Sequence, residues 1–396
     1  MPDTGPRPAI DGRRPATQAL HAGAARPRVQ GAIVTPIFQV STFEYHGESY
    51  HDVGYMRLSN TPNHRVLGER IAALENTEAA FVAGSGMAAI TGALLSVLSS
   101  GDHLLVQDVL YGGTTGLLSK ELVRLGITHT RIDAQAPDKW AAALEPTTKA
   151  IYVESITNPL VQVADLEAVP EFAREHGLVS IIDNTFASPV NFRPAELGFD
   201  LVIESCTKYM NGHNDLVAGS VAGSAARVRR IKELHDHLGG SLDAHACYLL
   251  ERGLKTLDVR VQRQNENALA TARFLEAHAA IARVHYPGLE SHPQHERAAH
   301  LFQGFGGMLS FELEGDVDDA ERFLARLTLP AVAASLGGVE SLIVRPAAAV
   351  HSGLSAEERA RSGISDTLIR FSIGLEDEED LMTDLEEALA AAAVTV

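Results

Sequence analysis

Between about residues 62 and 260, short apolar runs alternate with helix-patterned stretches. No other feature of this 396-residue chain constrains its fold as strongly. The apolar runs are Ala80–Ala83, His103–Val106, Thr128–Ile132, Ala150–Val153, Leu178–Ile182 and the run that opens at Leu201. Helices are predicted between them: His64–Asn76, with Leu67, Ile71 and Leu74 on one face, then Met87–Leu98, Gly116–Leu125, Pro137–Leu144 and Leu166–His176, which Gly177 stops. Strand–helix–strand repetition implies a mostly parallel sheet covered by helices on both faces, an α/β fold.

Three segments follow from this pattern. Residues 1–61 carry Pro2, Pro6, Pro8, Pro15, Pro27 and Pro36 and read as an extended arm with a disordered beginning, suited to lie on another subunit. Residues 62–258 form the large domain. A helix continuous in pattern from Leu249 to Thr271 holds the boundary, and residues 259–396 form a smaller α+β domain. Its strands are predicted at Gly307–Leu313 and Thr367–Ile373 and its helices at Asp318–Leu327 and Glu378–Ala392.

The composition excludes several classes. A formal net charge of −18 disfavours nucleic acid and anionic membranes as partners. The longest apolar stretch, Met87–Leu98, is interrupted by Thr91, Gly92 and Ser96 and falls short of a span. The first thirty residues have no apolar core segment, so no leader peptide is expected. Two cysteines, Cys206 and Cys247, without CxxC or histidine spacing, argue against a disulfide framework and a zinc site and suit a reducing cytoplasm.

In an open parallel sheet, ligands bind beyond the carboxyl ends of the strands. Two runs end in chemistry there. Leu178–Ile182 leads to Asp183-Asn184-Thr185, and Lys208, twenty-five positions after Asp183, follows Ser205-Cys206-Thr207. An amine, an acid and hydroxyls at one sheet edge are what pyridoxal phosphate requires: a lysine for its aldehyde, a carboxylate for its ring nitrogen and hydroxyls for its phosphate. Gly84-Ser85-Gly86-Met87 precedes a helix and offers backbone N–H groups and a positive helix end to an anion. Ser205 and Thr207 add hydroxyls, Arg57 a bidentate cation and Tyr111 a ring to stack on the pyridine. A rival reading takes Gly84-x-Gly86-x-x-Ala89 and Asp108 as a dinucleotide fingerprint of an NAD(P)-dependent oxidoreductase, but leaves Asp183 and Lys208 unexplained. His213 reads as a turn residue, His235, His237 and His245 as helical or loop surface, Glu376–Asp380 as a solvated cluster, and Trp140 as packing. No metal site is expected.

These residues resemble the Cys/Met-metabolism family of pyridoxal-phosphate enzymes: cystathionine γ-synthases, cystathionine β- and γ-lyases, methionine γ-lyases and homoserine sulfhydrylases. The likeness runs from about Thr35 to Leu385. It rests on Ser85-Gly86-Met87-Ala88-Ala89, Tyr111-Gly112-Gly113-Thr114, Asn158-Pro159, Asp183-Asn184-Thr185, Ser205-Cys206-Thr207-Lys208-Tyr209, Ser335-Leu336-Gly337-Gly338 and Arg370-Phe371-Ser372-Ile373-Gly374. The resemblance implies a type I aminotransferase-like fold and a homotetramer built as a pair of dimers. It implies that Lys208 carries the cofactor and that Gly86, Met87, Ser205 and Thr207 contact its phosphate, with Tyr55 and Arg57 reaching in from the neighbouring subunit. Thr185 belongs with Asp183 in the cofactor site. Arg370 is implied to grip the substrate α-carboxylate, helped by Ser335 and Asn158. Gly113 stands where methionine γ-lyases carry a cysteine, and Val344-Arg345 where some cystathionine-acting relatives have an acid. The activity expected is carbon–sulfur γ-elimination in trans-sulfuration chemistry, with Lys208 as base and Tyr111 as proton donor to the leaving thiolate. γ-Replacement and β-elimination are the alternatives.

Overall fold

The computed structural model describes residues 12–24, 28–47, 49, 53–349, 357, 359 and 363–392. The beginning expected to be disordered lies outside the described residues. The chain divides into two compact units, residues 1–108, 116–154 and 165–258 in the first and residues 109–115, 155–164 and 259–396 in the second.

The first unit is built on strands β1 (Ala79–Ala83), β2 (His103–Gln107), β3 (Thr128–Ile132), β4 (Thr148–Glu154), β5 (Val179–Asp183), β6 (Leu201–Glu204) and β7 (Gly219–Gly223). Their order is β1-β7-β6-β5-β4-β2-β3. β3, β2, β4, β5 and β6 pair in parallel, whereas β7 runs antiparallel to both of its neighbours. Strands β2, β6 and β7 are buried along their whole length, as a sheet covered on both faces demands, while the polar edge strand β3 is largely accessible. β7, with sequence Gly-Ser-Val-Ala-Gly, carries no strong strand signal. Its glycines answer to close approach instead: a Cβ on Gly219 would lie 2.3 Å from the Ser85 carbonyl oxygen, and one on Gly223 2.5 Å from that of Asp200.

The second unit carries β8 (Ile281–His285), β9 (Met308–Leu313), β10 (Ala331–Val332), β11 (Leu342–Val344) and β12 (Leu368–Ser372), ordered β10-β11-β12-β9-β8. All of its pairings are antiparallel except β10–β11. Its core joins Phe311, Phe371 and Ile369 of the sheet to Phe323 of the helix Val317–Arg326 and Leu385 of the helix Glu378–Ala392.

Several expectations are corrected. The arm is not wholly extended: Pro15–His21 is a helix that starts at a proline and buries Gln18 and Ala19. The predicted continuous helix over Leu249–Thr271 is two helices, Ala244–Leu254 and Leu257–Ala277. The break has a local cause. The Thr256 N–H and hydroxyl both turn back to the Gly253 carbonyl, tightening the turn. The helix predicted at Gly116 starts at Gly112 and passes into a wider π-type turn, Leu117–Leu122, because the Thr115 N–H bonds the Tyr111 carbonyl. His235 is not on the surface. It is buried and stacked on Phe81 at 4.9 Å, in space left by Gly92 and Gly240. Trp140 is fully buried against Phe172, and its indole N–H donates to the Asp133 carbonyl at 2.7 Å.

Candidate active site

The first unit gathers its polar groups at the ends of β1, β5 and β6. After β1, the side chain of Ser85 accepts the Ala88 N–H at 3.0 Å and caps the helix Gly86–Val97. The N–H groups of that first turn and the positive helix end therefore point where an anion is stabilised. Gly86 is required there, since a Cβ would lie 2.8 Å from the Ser205 hydroxyl. The missing side chain lets Ser205, after β6, stand against the start of the helix.

β5 ends in Asp183, and a hydrogen-bonded chain links it to the residue that follows β6. The Ser205 N–H donates to the Thr185 hydroxyl at 2.8 Å, and that hydroxyl donates to Asp183 Oδ1 at 2.5 Å. The Thr185 N–H donates to the same oxygen at 3.0 Å. Tyr152 of β4 faces the carboxylate and favours its ionised form; sequence reasoning missed it. The signal was present: Glu154 is in register with Asp183, so Tyr152, two residues earlier, shares its face of the sheet. Burial pushes the Asp183 carboxyl above its ordinary pKa, and Thr185 and Tyr152 oppose that rise. A protonated pyridine nitrogen would supply the positive charge that favours the ionised form.

Lys208 follows in a turn fixed by its N–H to the Ser205 carbonyl at 2.9 Å and by the Gly212 N–H to its own carbonyl at 2.8 Å. The Thr207 hydroxyl donates to the Ala218 carbonyl at 3.1 Å and accepts the Ala218 N–H at 3.0 Å, which fixes the turn between β6 and β7. Tyr55 and Arg57 lie together, the guanidinium carbon 5.5 Å from the Tyr55 ring centroid. Arg57 donates to the Asp236 carbonyl in the last turn of the helix Ala225–Leu238, where the helix end is negative.

The second unit holds the other expected residues. Arg370 on β12 is 3% exposed. Its guanidinium donates to the Asn158 side-chain oxygen at 3.2 Å and to the Ser335 carbonyl at 3.0 Å. Asn158 precedes a cis proline, and the Ser310 hydroxyl on β9 bonds the Pro159 carbonyl at 2.6 Å. Ser335 adopts a left-handed φ of 108°, and next to it the Gly337 N–H donates to Ser372 on β12 at 2.8 Å. Arg370 is thereby aimed by two loops held to its own strand and to β9. Tyr111, ahead of the helix Gly112–Gly116, keeps 44% of its surface exposed.

The residues of the first unit fit pyridoxal phosphate: a helix start cleared by a glycine, a hydroxyl beside it, a desolvated acid held by neutral donors and a lysine in the next turn. They do not fit a dinucleotide. β1 is an edge strand paired antiparallel with β7, and four strands separate it from β2, which Asp108 follows. Among the described residues, no group of three or more His, Cys, Asp or Glu could hold a metal.

Comparisons with known proteins agree. The family described as "Cys/Met metabolism PLP-dependent enzyme" matches residues 16–390. The chain is 41% identical over 377 residues to a cystathionine gamma-lyase of Bacillus subtilis, covering 94% of this chain and 98% of the relative. It is likewise 41% identical over 389 residues to an L-methionine gamma-lyase of Pseudomonas putida, covering 96% and 98%. A crystal structure of a cystathionine gamma synthase from Xanthomonas oryzae pv. oryzae, in complex with aminoacrylate and cysteine, superposes with a TM-score of 0.92 at 39% identity, covering 96% of this chain and 99% of that one. The chain therefore belongs to the pyridoxal-phosphate-dependent enzymes of cysteine and methionine metabolism and takes that cofactor.

Proposed function

We propose that this enzyme is a carbon–sulfur γ-lyase acting on an amino acid of the methionine or cystathionine kind, releasing 2-oxobutanoate, ammonia and a thiol. Pyridoxal phosphate, when bound, supplies an electron sink for negative charge at the substrate α-carbon. Asp183 holds a proton at the ring nitrogen, and Thr185 and Tyr152 keep the carboxylate ionised and aimed. Ser205, Thr207 and the Gly86 and Met87 N–H groups hold the phosphate, with the Tyr55 and Arg57 of a neighbouring subunit. Lys208 takes the α-proton as general base. Tyr111 stacks on the ring and gives a proton to the departing sulfur. Arg370, directed by Asn158 and Ser335, binds the α-carboxylate with planar, charge-assisted bonds.

The observation that carries the reading is the chain Ser205–Thr185–Asp183 beside Lys208, which joins the phosphate end and the acid end of one cofactor cradle. Likeness to the two γ-lyases motivates the elimination reading; the similarity to the Xanthomonas γ-synthase, at comparable identity, keeps γ-replacement as the second reading. Purified protein given L-methionine or L-cystathionine alone is expected to form 2-oxoacid. Absence of oxoacid, with product only when an O-acyl-homoserine and cysteine are supplied together, would replace the lyase with the γ-synthase. We propose further that the protein works as a cytoplasmic homotetramer. The family resemblance motivates the assembly, and the two buried free cysteines suit a reducing compartment. Sedimentation at micromolar concentration tests the assembly.

A further inference from the structure

Two acids have no part in the chemistry above. Glu75 ends the helix Pro62–Glu75 and Glu204 ends β6, and their exposures are 0% and 1%. Both carboxyl oxygens of Glu75, Oε1 of Glu204 and Oδ1 of Asn184 are enclosed with no hydrogen-bond donor in reach. The Asn184 amide N–H donates instead to the Phe192 carbonyl at 3.0 Å. Ionised carboxylates and amide oxygens only accept, so enclosed oxygens of these kinds require protons among them. The Glu75 carboxyl faces that of Glu204 and opposes its ionisation.

The groups facing the pair come from several elements. Arg193 favours the ionised form of Glu75. Asp183 on β5 opposes ionisation of Glu204, while the Asn184 side chain favours it. The Cys206 thiol, bonded to Ser220 on β7, is pushed up by burial and by both glutamates. Burial dominates: it lifts Glu75 to about 8 and Glu204 well above the carboxylate range.

We propose that Glu75 and Glu204 are both held protonated at neutral pH, sparing the cofactor site an uncompensated negative charge, and that ionisation of the pair sets the alkaline limit of cofactor retention. The proposal rests on the assignment of Asp183 and Ser205 to the two ends of the cofactor. Glu204 adjoins Ser205 in the chain, so a charge appearing on it repels a bound phosphate, and it does so without water to screen it. The folded state binds more protons here than the unfolded chain, whose glutamates titrate near 4.3. Stability therefore falls as pH rises above the ordinary carboxylate range and levels off once the folded pair has ionised. Glutamine keeps the shape and a donor and removes the titration.

The test uses the full chain loaded with pyridoxal phosphate. Infrared difference spectra of wild type against Glu204→Gln, and against Glu75→Gln in case the first variant folds poorly, should show a protonated-carboxyl band at about pH 7 that weakens by about pH 9. Cofactor retained after dialysis, read from its visible absorbance, should fall several-fold over that interval in wild type and stay nearly level in the variants. No such band in wild type, or an equal alkaline loss of cofactor in wild type and both variants, overturns the proposal. Failure of the cofactor assignment itself looks different: no visible absorbance at any pH.

Discussion

Two carboxylates of the first unit, Glu251 buried and Asp183 half-buried, show how differently one fold can treat the same group. Glu251, on the helix Ala244–Leu254, is surrounded by countercharge: Arg70 at 3.4 Å and Lys255 at 3.6 Å, with the Thr35 hydroxyl at 3.3 Å. Arg70 also donates to the Ala22 carbonyl at 3.0 Å, so the cluster fastens the start of the chain to the helix Pro62–Glu75. Asp183 is met by the hydroxyl and N–H of Thr185, both neutral donors, with the Tyr152 phenol also favouring its charge, and its pKa is raised. Neutral donors orient a carboxylate without neutralising it. A saturated acid holds structure together, whereas an acid given only dipoles keeps its charge available to a cation that arrives with a ligand.

Substitutions can break this contrast or sharpen it. The largest effect lies beside Asp183. Lys208→Ala should lower 2-oxoacid formation by about 10³-fold or more while leaving the circular dichroism and unfolding midpoint close to wild type; normal turnover would remove Lys208 from the chemistry. Asp183→Asn should lower kcat by about 10²–10³-fold with little change in fold. It should also raise the unfolding midpoint of the cofactor-free protein by a few degrees at neutral pH. The sign follows from linkage. Asp183 has a raised folded pKa, so the cofactor-free protein loses stability as pH climbs above the ordinary carboxylate range, and the amide escapes that loss. The gain should vanish below about pH 4, where wild type is protonated in both states.

Glu251→Gln should do the reverse. It leaves Arg70 buried without its countercharge, so urea unfolding should reveal a loss of about 3–5 kcal/mol with kcat nearly unchanged in the protein that remains folded. A large kcat loss with intact stability would erase the distinction between the two acids. The smallest effect is expected for Tyr152→Phe. Removing a group that favours the ionised carboxylate lets the Asp183 pKa rise further, so activity, which needs that charge, should begin to fall at a higher pH on acidification. A pH–rate profile should show the acid limb moved upward with the alkaline limb in place, and the loss at neutral pH should be only a few-fold.

The elements best read from sequence were those whose local pattern and final environment agree. β5 and β6 are apolar runs that stay buried, and their ends carry Asp183 and Lys208 as the alternation suggested. The misreadings have non-local causes. The residues of β7 look like a loop because two of its glycines are dictated by the backbones of Ser85 and Asp200, far away in sequence. The helix Ala244–Leu254 is the exception: it ends early for a local reason, the Thr256 N–H and hydroxyl folding back on the Gly253 carbonyl although the apolar spacing continues. Tyr152 and Glu204 sit inside strands that periodicity marks simply as buried, and only pairing with β5 and the helix Pro62–Glu75 reveals their partners. Glu376, read as one of a solvated cluster, accepts the N–H and the hydroxyl of Ser341 at 2.6 and 2.8 Å and so anchors the turn after β12.

Thr185 has one hydroxyl and two clients. It receives from the Ser205 backbone and gives to Asp183, so the loops after β5 and β6 move as a single piece. A vitamer stripped of its phosphate would therefore lose its anchor beside Ser205 and still meet an acid already aimed, because the protein's own hydroxyl, not the phosphate, sets the direction of Asp183.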